Sequence, residues 1–256
     1  MTDAIKSIPE GDASGATAAL YADIRRTLRV PAVNLVWRHL AACDGALDWV
    51  WPCLRPLYDD PRLADAAAGL RDRCGALSIV LPDRAGLEAA GLAAPAIHDI
   101  RRVLANYDDS NPLNLVALLS LLHAVRRTGG SSAAASVVRA PPLSRDLRAD
   151  NALPPLIPET AMAPAVRAEA RRLEALASDR TTGPVVAGVP RHLAHWPVFL
   201  HAACDAIAAA EPAVRTLMCI TVHTRAGANS RHCCWCRPRN RRRQCRARLN
   251  ALRVAI

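Results

Sequence analysis

The sequence predicts an all-α protein, a pseudo-dimer of two diverged helical repeats, on three observations. The first is composition. Hydrophobic residues make up 51% of the 256, yet aromatics only 4% with a single Phe, so the apolar mass is Ala, Leu and Val, small enough to fill the space between helices. The second is spacing: Leu20, Ile24 and Leu28, and again Val166, Leu173 and Leu176, form stripes at the helical period. The third is internal repetition. Ile8-Pro9-Glu10 returns as Ile157-Pro158-Glu159, and Arg38-His39-Leu40-Ala41 returns as Arg191-His192-Leu193-Ala194, in the same order.

The first repeat is expected to span residues 1–128. Its opening stretch carries Asp3, Glu10 and Asp12 and no apolar run of signal-peptide length, so no export signal is expected. The stripe ending at Leu28 is closed by Pro31. From there the tetrapeptide match extends without a gap: Pro31 falls on Pro184, Val33 on Val186, Val36 on Val189 and Leu47 on Leu200. Trp37, Trp49, Trp51 and Trp196 read as core or interface anchors whose indole N–H groups need partners when buried. Ala94–Leu104 reads as one helix and Pro112–Arg127 as a longer buried one with Leu115, Leu118, Leu119 and Leu122 inward. Asn111 is placed as its N-cap and Pro112 as its first residue. The most apolar run, Leu113–Leu122, falls short of the roughly 20 residues a membrane span needs.

Residues 129–155 read as a linker, marked by Gly129-Gly130-Ser131-Ser132, Pro141-Pro142 and Pro154-Pro155. The second repeat, 156–224, is expected to be incomplete: its apolar pattern ends near Val222 and its closing helices are missing or replaced. Residues 225–256 form a basic tail rich in Cys and Arg, with ten arginines and no acid, which leaves 23 basic against 23 acidic residues upstream. The formal charge of +10 therefore belongs to the tail, and the body, residues 1–224, is formally neutral. Cys233 and Cys236 have the spacing of half a zinc site near His232, Cys245 and Arg241–Arg243, but no second pair follows, so no metal is expected. The competing reading is a disordered product of reading-frame slippage in a GC-rich gene. The other five cysteines are scattered, as in a reducing compartment, and the cytoplasm is the expected location.

A family likeness attaches to particular residues: Ala18–Arg25, Val30-Pro31, Arg38–Ala41, Asn111-Pro112 and Arg191–Pro197. Together they resemble the group I 2-haloacid dehalogenases, also catalogued as halocarboxylic acid dehydrogenases. The resemblance covers about Ile8 to Ala210. It implies two all-α repeats with a substrate cleft between them, hydrolytic halide removal from a 2-haloalkanoic acid, and no cofactor. It further implies a water-activating Asp shortly before the Trp-Pro pair and an Asn near the Asn-Pro turn that helps hold the water. In this chain the Asp position falls on Val189, and Gly183–Pro190 contains no carboxylate; Ala32 and Leu35 replace aromatic pocket residues.

The candidate catalytic residues are Asn111, as an amide orienting water or substrate, and His192, whose imidazole titrates near neutrality. Asn34, Leu35, Trp37, Val189 and His195 are the candidate substrate contacts. Asn34 stands out because an amide within the apolar stretch Ala32–Trp37 must find a hydrogen bond when buried. The expected ligand is a small carboxylic or halocarboxylic acid. Two alternatives stay open, a divergent member that binds such an acid without turning it over and nucleic-acid binding through the tail; oligomeric state is not legible.

Overall fold

The computed structural model describes residues 5–77, 79–128, 153–177 and 186–214. The all-α class is borne out: among these residues there are helices and 3-10 turns and no strand. In chain order the helices are α1 (Gly15–Leu28), α2 (Leu35–Ala41), α3 (Ala46–Leu54), α4 (Pro61–Gly75), α5 (Arg84–Ala89), α6 (Ala94–Thr128), α7 (Pro164–Ala177), α8 (Gly188–Leu193) and α9 (Pro197–Ala209). Two compact units emerge. One gathers Ile5–Arg71 with the part of α6 from Arg101; the other gathers Asp72–Ile100 with the described residues from Leu156 onward. The basic tail, and all of the expected linker before residue 153, lie outside the described residues.

In the unit built on the first copy, α1 buries Tyr21, Ile24 and Leu28, while Leu20 is half-buried at the edge of the same core. The stripe is real but is centred one position later. α1 ends with Arg29 in the left-handed region at φ 56°, a conformation unusual for a side chain other than glycine, and Val30 N–H closes back onto Arg25 O at 3.1 Å. α2 and α3 add Trp37, Leu40, Leu47, Val50, Trp51 and Leu54, all nearly inaccessible. Each such side chain is worth roughly 1.5–3 kcal/mol relative to exposure. Trp37 meets Trp51 edge to face at 5.3 Å, and Trp51 meets Tyr58 at 5.5 Å. Trp51 satisfies its N–H by donating to Asp23 Oδ2 at 2.8 Å; Trp49 stays half-buried.

One expectation is overturned. Ala94–Leu104 and Pro112–Arg127 are not two helices but parts of α6, which runs unbroken for 35 residues with Pro112 inside it. Asn111 is consequently a mid-helix residue and not an N-cap. Pro112 has no N–H to give to the carbonyl four residues earlier, but that residue, Asp108, lies on the exposed side where water can replace the bond. Ile100 and Val103 before the proline, and Ala117, Leu118 and Leu122 after it, are buried and carry the helix through. Leu115 and Leu119 are only half-buried, so the inner face is turned toward Val116 and Ala117.

Among the described residues the second copy follows the first through its opening 3-10 turn and first three helices. The 3-10 turns Glu10–Asp12 and Glu159–Ala161, and helices α1 and α7 of 14 residues each, correspond at an offset of 149 (Gly15 to Pro164, Leu28 to Ala177). α2 and α8 correspond at 153 (Leu35 to Gly188), so the intervening turn is longer in the second copy. The burial pattern follows: Ala170 and Leu173 replace Tyr21 and Ile24, and Leu200 and Cys204 replace Leu47 and Trp51. The Arg-His pairs occupy related settings. Arg38 O accepts from Ile8 N–H at 3.1 Å, and Arg191 Nε donates to Ile157 O at 3.1 Å, so in each copy the arginine meets the isoleucine of the repeated tripeptide. α7, α8 and α9 pack on one another in this unit.

Candidate functional site

The most unusual chemistry in the first unit lies where the start of α2 meets α6. Asn34 is 6% exposed and precedes α2, where an amide ordinarily caps the helix by accepting a backbone N–H. It does not do so here. Its Nδ2 instead donates to Ser110 Oγ at 2.9 Å and to Asn111 Oδ1 at 3.2 Å. Ser110 donates its only proton to Asn106 O at 2.7 Å, so its oxygen must receive from Asn34, which fixes the orientation of the amide. Asn34 Oδ1 is left buried and without a partner among the described residues.

Asn106, Ser110 and Asn114 follow one another at i, i+4 and i+8, a single polar stripe along α6, and all three are buried. Asn114 Oδ1 accepts from Tyr58 Oη at 2.9 Å, and burial raises the Tyr58 phenol far above its ordinary pKa. Its Nδ2 has no partner among the described residues, nor has Asn106 Oδ1, nor has Trp37 Nε1, one turn after Asn34 on α2. The contacts form a circuit: Asn34 to Ser110, along α6 to Asn114, then Tyr58, Trp51 and Trp37, and back along α2. Around it stand four unsatisfied buried polar atoms, two donors and two acceptors. Each orphan costs roughly 1–3 kcal/mol. Each of these atoms can exchange one hydrogen bond with a small polar group that reaches it.

Of the sequence candidates in this unit, Asn34 and Trp37 belong to the circuit, Leu35 is buried beside them, and Asn111 joins through its bond to Asn34 although the residue is largely exposed. Asn114, Asn106, Ser110 and Tyr58 escaped the sequence reading. The signal was present as polar residues four apart, but it is visible only when the helix is read through Pro112.

Val189, His192 and His195 lie in the other unit. His192 is buried in α8 at 4% exposure, Val189 is half-buried, and His195 stacks obliquely on Trp196 at 5.7 Å. The carboxylate missing from 183–190 has a neighbour from α7: Glu174 Oε2 accepts from Ala187 N–H at 3.1 Å, and burial lifts its carboxyl above the ordinary range. Burial foremost, with its bond to Glu169, pushes the Cys204 thiol up to about 12, which disfavours the thiolate. Among the described residues no three His, Cys, Asp or Glu side chains converge as a metal set, and no helix is long and apolar enough to cross a membrane.

No family profile matches the chain. Over 208 residues it is 32% identical to a configuration-inverting 2-haloacid dehalogenase of Alcaligenes xylosoxydans xylosoxydans, an alignment spanning 80% of this chain and 68% of that protein. Among solved structures, a complex of a D-2-haloacid dehalogenase mutant with D-2-CPA aligns at a TM-score of 0.65 and 16% identity, over 98% of this chain and 90% of that one. A complex of D-2-haloacid dehalogenase with L-LA aligns at 0.66 and 20% identity, over 88% and 77%. The structural likeness establishes the all-α fold, and the sequence match is long enough to establish kinship.

Proposed function

The chain belongs to the 2-haloacid dehalogenase family, and from that premise we propose that it removes halide hydrolytically from a small 2-haloalkanoic acid. The observation that carries the reading is the set of unsatisfied buried atoms on Asn34, Trp37, Asn106 and Asn114. Displacement at C2 by water needs a held water, donors for the substrate carboxylate, and a site shielded from bulk solvent. Asn34 Oδ1 is an acceptor without a partner among the described residues, suited to orienting one proton of the water. Asn114 Nδ2 and Trp37 Nε1, without partners among the described residues, are donors suited to an anion, either the carboxylate or the departing halide. Asn111 positions Asn34 through the 3.2 Å bond, and Leu35 adds apolar surface.

Halide release from racemic 2-chloropropionate, followed with the single enantiomers, tests the reading. Turnover that falls about 100-fold or more in Asn34→Ala and Asn114→Ala supports it; no halide at high protein concentration overturns it. A second reading, binding of a small carboxylate without turnover, draws on the lack of any carboxylate across 183–190. It predicts a thermal shift with unhalogenated acids and no halide. Nucleic-acid binding through 225–256 concerns residues outside those described; a steep salt dependence of DNA binding, lost on deleting them, is its signature.

A further inference from the structure

Two amides side by side can hydrogen-bond in either sense. In one, Asn34 Nδ2 donates to Asn111 Oδ1; in the other both groups are turned over and Asn111 Nδ2 donates to Asn34 Oδ1. The amides alone do not choose, because each has a donor end and an acceptor end of similar shape. Asn111 adds no constraint of its own, being largely exposed. The choice decides what the pair shows to a ligand: an acceptor from Asn34 and a donor from Asn111 in the first sense, and the reverse in the second.

Ser110 makes the choice. It is wholly inaccessible, and its one proton goes to Asn106 O at 2.7 Å, the carbonyl one turn back on α6. A hydroxyl committed in this way can only accept, and Asn34 Nδ2 donates to it at 2.9 Å. The second proton of the same nitrogen goes to Asn111 Oδ1 at 3.2 Å. With both protons used, Asn34 Oδ1 and Asn111 Nδ2 are the ends left over, the first of them buried and without a partner among the described residues. Turned over, Asn34 would set Oδ1 against the Ser110 oxygen, acceptor against acceptor in a buried place. Asn34, Asn106, Ser110 and Asn111 all belong to the unit formed by Ile5–Arg71 and α6 from Arg101.

We infer that Ser110 is a positioning residue for the hydrolysis, a role that rests on the dehalogenase reading. Through two hydrogen bonds in series it holds Asn34 Oδ1 as the acceptor of a proton from the attacking water and Asn111 Nδ2 as a donor toward the substrate. Ser110 itself acts only through Asn34 and exchanges no proton with water or acid. Without its hydroxyl the pair inverts in a share of the molecules, and a donor then faces the water where an acceptor is needed.

The test measures halide release from 2-chloropropionate in wild type, Ser110→Ala, Asn34→Ala and the double variant, with thermal unfolding of each. Ser110→Ala is expected to lower kcat about 10- to 100-fold among folded molecules, the order of loss that misplacing a group beside the reacting atoms brings. Because Ser110 acts through Asn34, the double variant should turn over within threefold of Asn34→Ala; the two losses do not multiply. A role in packing alone would lower the melting midpoint and leave kcat where it was. An active wild type with Ser110→Ala within threefold of it overturns the role of Ser110 and leaves the dehalogenase reading standing, and so does a double variant more than threefold below Asn34→Ala. An inactive wild type overturns both. Should Ser110→Ala fold poorly, the double variant, in which hydroxyl and amide are removed together, is compared with Asn34→Ala and decides by the same limit.

Discussion

Replacing both Asn114 and Tyr58 separates what the buried amides do for stability from what they do for function. In Asn114→Leu the orphan Nδ2 disappears, but Tyr58 Oη, which donates to Asn114 Oδ1 at 2.9 Å, loses its acceptor. A desolvated hydroxyl left unpaired costs about 1–3 kcal/mol. Adding Tyr58→Phe removes that donor, and a pair replaced by apolar groups of similar shape is close to neutral. The double variant is therefore expected to lie about 1–2 kcal/mol above Asn114→Leu, close to wild type. With a urea m-value of about 2 kcal/mol/M the two midpoints differ by roughly 0.5–1 M. Halide release should show no such recovery: loss of one positioned donor lowers turnover by about 10²- to 10³-fold in both variants. Urea titration followed by tryptophan fluorescence, with halide assays on the same samples, gives both readings. A double variant as unstable as the single, or one that turns over at the wild-type rate, refutes the claim that this amide is maintained for a ligand.

Three further outcomes follow from the packing. Asp23 accepts from Trp51 Nε1 at 2.8 Å and is flanked by Arg55 and Arg26, each at 3.1 Å; a cycle of Asp23→Ala and Trp51→Phe should show coupling of about 1–2 kcal/mol, and a value within about 0.3 of zero would deny the bond a role. Burial works to raise the Asp23 carboxyl, but the bonds from Trp51 and Arg26 and the Arg55 charge hold it below the ordinary value. The folded state thus binds fewer protons than the unfolded chain there. This stabilisation is full above the unfolded pKa and lost as pH falls through the folded one, which acid melts of wild type and Asp23→Ala will show as converging midpoints. Arg191, 4% exposed with Nε on Ile157 O, should cost about 2 kcal/mol or more when replaced by Ala, read as a lower thermal midpoint; a loss under about 0.5 kcal/mol would remove the anchoring role given to the repeated Arg-His pair.

The helical class and the duplication were legible in the chain because both are local properties. A 3.6-residue apolar period shows in any short window, and two copies of one tripeptide and one tetrapeptide need no structure to be seen. Even the core of α1 was read to within a residue, and Trp37 and Trp51 were placed inside.

What only tertiary structure decided is where the polar groups meet. Proline tells a local reading that a helix begins, yet burial on both sides of Pro112 outweighs one lost backbone bond, and with the helix continuous Asn106, Ser110 and Asn114 fall on one line. The Asn34 amide finds Ser110, 76 residues away, and Glu174 of α7 closes on Ala187 ahead of α8. Hydrogen bonds between distant segments leave no period in the sequence. They are chosen by which buried groups the packed helices bring within 3 Å, and so is the chemistry.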